Sequence, residues 1–467
     1  MLTHLRIKNF KAWQDTGAVR LAPLTVIFGA NSAGKSSLGH LVLALKQTAA
    51  SSDRKRPLHL GDGQSLIDLG TFEDCLYAHD RKSVLSFEMD WSLPSRLHVH
   101  DPISNADYSG SGLKLAASLK EINGHPAVES LEYRLSNGDA TSVDVCFRRV
   151  ELGKDAGTYE LSSTGYSLKR NPGRVWRLPA PVKFYGFPDE ANAYYQNTRF
   201  LSDFAFATES FLRNLYFLGP LREPPRRVYP WAGDEPSDVG QRGEQAVAAI
   251  LAASNRSLSR GYKKRTQPFP AFIAQWLKEL GLIDSFELKP VATGRKEYEV
   301  LLKTHPSASE VKITDVGFGI SQVLPALVQV FYAPANSTVW MEQPEIHLHP
   351  NVQAGLADVF IGAIQARENG DDRNVQLIVE SHSEHFLNRL QRRVAEGVIG
   401  PKDVAVYFAK RTSGRVSLEP LVLNEFGEIE NWPENFFGDE MEDIAARTRA
   451  AMMRRIESEK IEADSDG

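Results

Sequence analysis

Cysteine is almost missing from this chain. Its 467 residues hold only Cys75 and Cys146. Two such distant thiols give neither a disulfide framework nor a zinc spacing, so a reduced cytoplasmic compartment is expected. No apolar run approaches the roughly 18 residues that a membrane-spanning helix requires, and no membrane partner is expected. The opening MLTHLRIKNFKAW is charged and lacks an apolar signal core. Heptads sustained over several turns are absent, as are repeats at solenoid periods. Positive charge is not in excess: the formal net charge is -5, so any nucleic-acid contact must come from local basic patches. Hydrophobic residues make up 42% and charged residues 24%, which suits a soluble globular chain long enough for more than one domain.

What is present is an interrupted α/β pattern. HLRIKNF alternates as a strand does, and LTVIF is a short apolar run ending at Gly29. The following SSLGHLVLALKQTAA places Leu38, Leu41, Val42 and Leu45 on one helix face. Strand, glycine loop and helix open a parallel α/β sheet. From about residue 80 to 170 the runs SVLSFEMDW, SLEYRLSN, SVDVCFRRVEL and TYELSS suggest antiparallel β structure, and from about 185 to 280 the pattern is more helical. Near 310 the α/β alternation resumes. STVWM, VQLIV and VAVYFA read as strands; ISQVLPALVQVF, NVQAGLADVFIGAIQA and EHFLNRLQRRV read as helices. This gives an N-terminal lobe (1–80), a β-rich then helical insertion (81–305), a C-terminal lobe (306–410) and an extension with a polar, disordered tail (411–467).

Four motifs carry chemistry. Gly29-Ala30-Asn31-Ser32-Ala33-Gly34-Lys35-Ser36 fits G-x-x-x-x-G-K-[ST], the Walker A phosphate loop, in its required strand–helix context. Its backbone N–H groups, with Ser37 in the first helical turn, cradle phosphates. Lys35 reaches the terminal phosphates and Ser36 ligates Mg²⁺. STVWMEQPEIHLHP ends an apolar strand in Glu342, expected as the second Mg²⁺ contact, with Gln343 next. Gly317 and Gly319 lie before a helix, whose amides suit a γ-phosphate presented by another subunit. His382, after QLIVE, suits contact with the γ-phosphate or attacking water. His347 and His349 lack a third spaced ligand and fit capping or packing.

The order of these motifs resembles the ABC-type ATPase heads of the RecF, SMC and OLD (overcoming lysogenization defect) group. The resemblance covers about residues 1–50 and 310–410. It implies an α/β phosphate-loop NTPase head with a mixed sheet, split by the long insertion, and two heads sandwiching two ATP molecules. LRIKNFKAW resembles the RecF/SMC opening, which places Phe10 and Lys11 near the base and ribose. PEIHLHP and SHSEHF look most like OLD-type prokaryotic AAA ATPases, many of them in anti-phage defence. This implies a sensor or scaffold that holds a separate effector, a nuclease or toxin. The RecF/SMC alternative implies DNA repair and contact with DNA, through clusters such as Lys169-Arg170, Arg222 with Arg226-Arg227, and Arg256 to Arg265.

Departures from that pattern matter. Glu342 stands where the group has aspartate, Gln343 where it has the catalytic glutamate, and Gly317 where it has the signature serine. An amide cannot accept a proton, so hydrolysis is expected to be slow unless Glu345 or His382 substitutes. No coupling glutamine of the Q-loop can be placed. Beyond residue 410 there is no further α/β unit of the kind that carries the OLD nuclease cluster, so nuclease activity in this chain is not expected. A transporter ATPase is disfavoured by the long insertion.

Overall fold

The computed structural model describes residues 1–138, 140–151, 156–173, 177–433, 446–452 and 454. The tail expected to be disordered lies outside the described residues.

Two large sheets organise the chain. The first is antiparallel and eight-stranded. It is built on β1 (Leu2–Phe10), and β2 (Leu24–Gly29) leaves it for the second sheet. It continues through β3 (Leu85–Asp101), β4 (Ala106–Ile122), β5 (His125–Asn137), β6 (Ala140–Arg149) and β7 (Tyr159–Thr164). The short strands Trp13–Asp15 and Val19–Arg20 both pair with β1. Inward positions alternate with outward ones along β3 to β6, as a one-sided core requires. The outward face carries charge pairs, including Lys114–Glu88 and Arg134–Asp144. β4 is a strand that the periodicity did not announce: it buries Gly110 and Ala117 where β-branched residues are the usual signal.

The second sheet is six-stranded. Its order is β8 (Leu215–Leu218), β9 (Thr338–Glu342), β10 (Gln376–Glu380), β2, β11 (Val404–Thr412) and β12 (Arg415–Leu421). The first five run parallel and β12 returns antiparallel. β2, β8, β9 and β10 are buried along their whole length, which explains their unbroken apolar sequences. Successive residues feed opposite cores. Ile27, Trp340 and Ile378 join the core shared with the antiparallel sheet, α1 (Lys35–Ala50) and α2 (Phe200–Arg213). Val26, Met341 and Val379 join the core under α3 (Phe318–Tyr332), α4 (Pro350–Gln365) and α5 (Glu384–Ala395).

The expected boundaries at 80 and 305 do not separate the sheets. β3 pairs with β1, and β8, from the middle of the chain, is an edge strand of the parallel sheet. Hydrogen bonding decides this: β1 and β9 would otherwise present unpaired backbone.

Candidate nucleotide site

β2 ends in the phosphate loop and α1 begins at Lys35. Gly34 precedes the helix at φ +80°, a left-handed conformation that glycine adopts without strain, and no side chain caps the helix there. The Trp13 indole N–H donates to the Gly34 carbonyl at 3.0 Å and braces the loop from the antiparallel sheet. Lys35 is buried, and its ammonium donates to the carbonyls of Gly29 (2.8 Å) and Ala30 (2.9 Å). Burial lowers its pKa, while Glu380 and Glu345 oppose the shift. α1 lies so close to β9 that a Cβ on Gly39 would stand 2.6 Å from the Trp340 indole nitrogen.

The carboxylate that meets the loop serine is Glu380, not Glu342. The Ser36 hydroxyl donates to Glu380 Oε2 at 2.8 Å, and the Trp340 indole N–H donates to Oε1 at 3.0 Å. Parallel register sets Glu342 directly beside Glu380. Both side chains face α1, because each shares parity with a residue of that core, Trp340 and Ile378 respectively. Burial, and next the adjacent Glu342, push the Glu380 carboxyl up to about 8. Glu342 Oε1 makes no hydrogen bond and lies 3.5 Å from His40 Nε2 on α1. The sequence rule that singled out Glu342, an apolar strand ending in a carboxylate, describes QLIVE equally well.

A cavity of about 870 Å³ opens over the loop. Asn31 to Ser37, His40, Gln343 and His382 line it, together with Lys11, Ala12, Asp68 to Gly70 and His79. Gln343 holds φ +42°, and its N–H donates to the Glu380 carbonyl at 2.8 Å. His382 Nε2 is buried without a hydrogen bond, and burial, then the nearby Lys35, lowers its pKa. Glu345 lies behind the wall. Its Oε1 accepts from the Ser381 hydroxyl (2.9 Å) and the His382 N–H (2.6 Å), and burial raises its pKa.

Other expected residues fall elsewhere. Phe10 is fully buried in the core and does not line the cavity. Strand alternation points it inward, and the turn at Lys11 brings the lysine to the cavity instead. Gly317 and Gly319 frame the start of α3; a Cβ on Gly317 would meet nothing within 4 Å, one on Gly319 would only touch the Leu282 side chain at 3.8 Å, and Phe318 between them is 72% exposed. They lie outside this cavity. His349 caps α4, its Nδ1 accepting from the Asn351 N–H. The basic clusters are largely tied up. Arg226 pairs with Glu223, Arg227 with Asp315, Arg256 with Glu368 and Arg260 with Glu279. Arg222 is no surface cation at all: it is 7% exposed, and none of its three guanidinium nitrogens has a hydrogen-bond partner. Burial brings its pKa down to about 10 against the opposing pull of Glu345 and Glu342.

A strand–G-x-x-x-x-G-K-S–helix unit in a mostly parallel sheet, with paired carboxylates beside the loop serine, defines a phosphate-loop nucleotide-binding α/β protein. Residues 244–387 match the family model of an AAA ATPase domain, and residues 399–446 match one described as a protein of unknown function, DUF3696. The segment similar to the AAA ATPase domain contains the Gly317–Gly319 turn, Glu342 and His382. No curated protein matches the chain. Among solved structures it is similar to an SMC head bound to the C-terminal winged-helix domain of ScpA, at 12% identity and TM-score 0.43, covering 90% of this chain and 98% of that one. The SMC head domain from Thermotoga maritima gives 12% and 0.40, with 90% and 98% covered. The Pyrococcus furiosus SMC head with an extended coiled coil, bound to the C-terminal domain of ScpA, gives 12% and 0.42, with 90% and 96% covered. Among the described residues no helix is long and apolar enough to cross a membrane.

Proposed function

We propose that this protein binds ATP with Mg²⁺, hydrolyses it slowly, and dimerises in an ABC-type manner through the bound nucleotide. The observation that carries this is the complete phosphate loop opening on a cavity that Gln343 and His382 also line. Triphosphate displaces the Gly29 and Ala30 carbonyls from Lys35 and takes the N–H groups at the uncapped start of α1. The residues suit a magnesium ion: Ser36 Oγ meets Glu380, and Glu342, with Oε1 free of hydrogen bonds, is paired beside Glu380, all three bearing hard oxygen donors. When bound, the ion supplies charge neutralisation at the phosphates. Gln343 orients the attacking water but cannot take its proton. His382, kept neutral by its lowered pKa and with Nε2 free, is the acceptor. Glu345 fixes the His382 backbone rather than touching the water.

The exposed Gly317-Phe318-Gly319 turn is the surface for the second copy, where backbone amides at the start of α3 cover the γ-phosphate. Native mass with ATP and Mg²⁺ should double for the wild type. Lys35→Ala should weaken ATP binding about 10- to 100-fold, the worth of a charge-assisted contact, and should stay monomeric. Phe318→Asp should still bind ATP yet fail to dimerise. A chain that ignores ATP, or a Lys35→Ala variant that binds it as well as the wild type, overturns the reading.

The anti-phage sensor role and its effector rest on the resemblance in PEIHLHP and SHSEHF. Co-purification with a nuclease or toxin, released on phage challenge, would support them. DNA-stimulated hydrolysis would favour the repair alternative. One feature keeps that alternative open: Lys263, Lys264 and Arg265 are exposed at the tip of the hairpin between Ser257–Ser259 and Thr266–Pro268.

A further inference from the structure

We infer that Arg222 is a positioning residue of the nucleotide site, buried without a hydrogen bond and closing on the free Oε2 of Glu345 when nucleotide binds. This rests on the nucleotide reading above and adds a residue that the reading does not use.

Topology places the arginine. β8 and β9 run parallel with Leu218 beside Met341, so Gly219 to Arg222 leave the sheet alongside Glu342 to Glu345. In that buried space, donors and acceptors stand unmatched together. All three Arg222 nitrogens, Glu342 Oε1 and Glu345 Oε2 are buried without hydrogen bonds. A guanidinium shut away from water and unpaired is costly, and such a cost persists where the group has a second arrangement to reach. Arg222 does not line the cavity, so it acts through other residues. The path to the reacting atoms is short: Glu345 holds the His382 backbone N–H through its other oxygen. An Arg222–Glu345 contact would therefore orient the histidine that accepts the proton. The same segment is tied at Gly219 to Gln241, at Glu223 to Arg242, and through the Arg227–Asp315 ion pair to the turn two residues ahead of Gly317. The segment that carries Arg222 is thus linked, through Arg227, to the turn that a second copy would meet.

The test is Arg222→Met, which keeps the volume and removes the charge, beside Arg222→Lys and Glu345→Gln in the full-length protein. Arg222→Met should lower kcat on the order of tenfold or more, as loss of an outer-shell partner does. Its ATP affinity should stay within about threefold, and its melting midpoint should not fall, because Arg222 makes no hydrogen bond that the substitution could remove. Arg222→Lys should restore part of kcat. The Arg222→Met/Glu345→Gln double variant should be little worse than the more damaged single variant, since both cut one chain of contacts. An unchanged kcat, additive losses, or a lowered melting midpoint with equal loss of ATP binding would overturn the inference. Wild-type protein that neither binds nor turns over ATP would sink the functional reading beneath it instead.

Discussion

Replacing Glu380 by glutamine is expected to reduce Mg²⁺-dependent ATP turnover by about 100-fold or more, the scale of losing a principal electrostatic group in a preorganised site. The amide keeps the size and can still accept from the Trp340 indole, so the fold should survive. What disappears is the carboxyl oxygen that Ser36 meets at 2.8 Å, and with it the charge that a magnesium ion, once bound, would draw out against the raised pKa. Glu342→Gln should cost less, because Glu342 makes no hydrogen bond to a loop residue, whereas Glu380 accepts from Ser36. Turnover of both variants across a magnesium titration checks the order. If Glu342→Gln proves the more damaging and Glu380→Gln the milder, the principal metal carboxylate is the one at the end of STVWME, as the sequence pattern first suggests.

Gln343→Glu is the second large effect, and its sign is opposite. A carboxylate at this position can take the proton that the amide cannot, and a well-placed general base contributes about 10²- to 10⁴-fold. The placement is already made. The Gln343 backbone is pinned by its N–H to the Glu380 carbonyl, and the residue lines the cavity together with His382. Single-turnover hydrolysis should rise at least tenfold on this argument. Wild-type turnover already as fast as that of the variant would remove the idea of a long-lived, nucleotide-bound state. In the same assay His382→Ala should slow the wild type severely but Gln343→Glu only mildly, because the new carboxylate relieves the histidine of its task.

The strands and helices of the head were legible where burial forces unbroken apolar runs, as in LTVIF, STVWM and VQLIV, or helical spacing, as at Leu38, Leu41, Val42 and Leu45. The phosphate loop was legible because its geometry restricts residue type at Gly29, Gly34, Lys35 and Ser36. Sequence order, however, does not tell which strands become neighbours. Glu380 escaped notice because its importance comes from β10 lying between β2 and β9, a fact of pairing rather than of composition. Trp13 was hidden for the same reason: it belongs to the other sheet and reaches the loop through space. Arg222 was grouped with Arg226 and Arg227 because charge in a sequence carries no mark of burial. The resemblance of LRIKNFKAW places Phe10 near the base and ribose, but a family pattern does not show the strand alternation that sends it into the core.

The position of β2 also bears on how the molecule is made. Its two neighbours, through Leu377 and Val404, come from the last quarter of the chain, whereas β1 can pair with β3 and the antiparallel sheet is complete in strands by Thr164. A ribosome emitting this protein therefore delivers a sheet that can form early and an apolar LTVIFG segment that must wait for most of translation to find its place. Such delayed, distant pairing slows folding and leaves a strand exposed to wrong partners meanwhile. The nascent chain should depend on holding factors until β10 and β11 emerge.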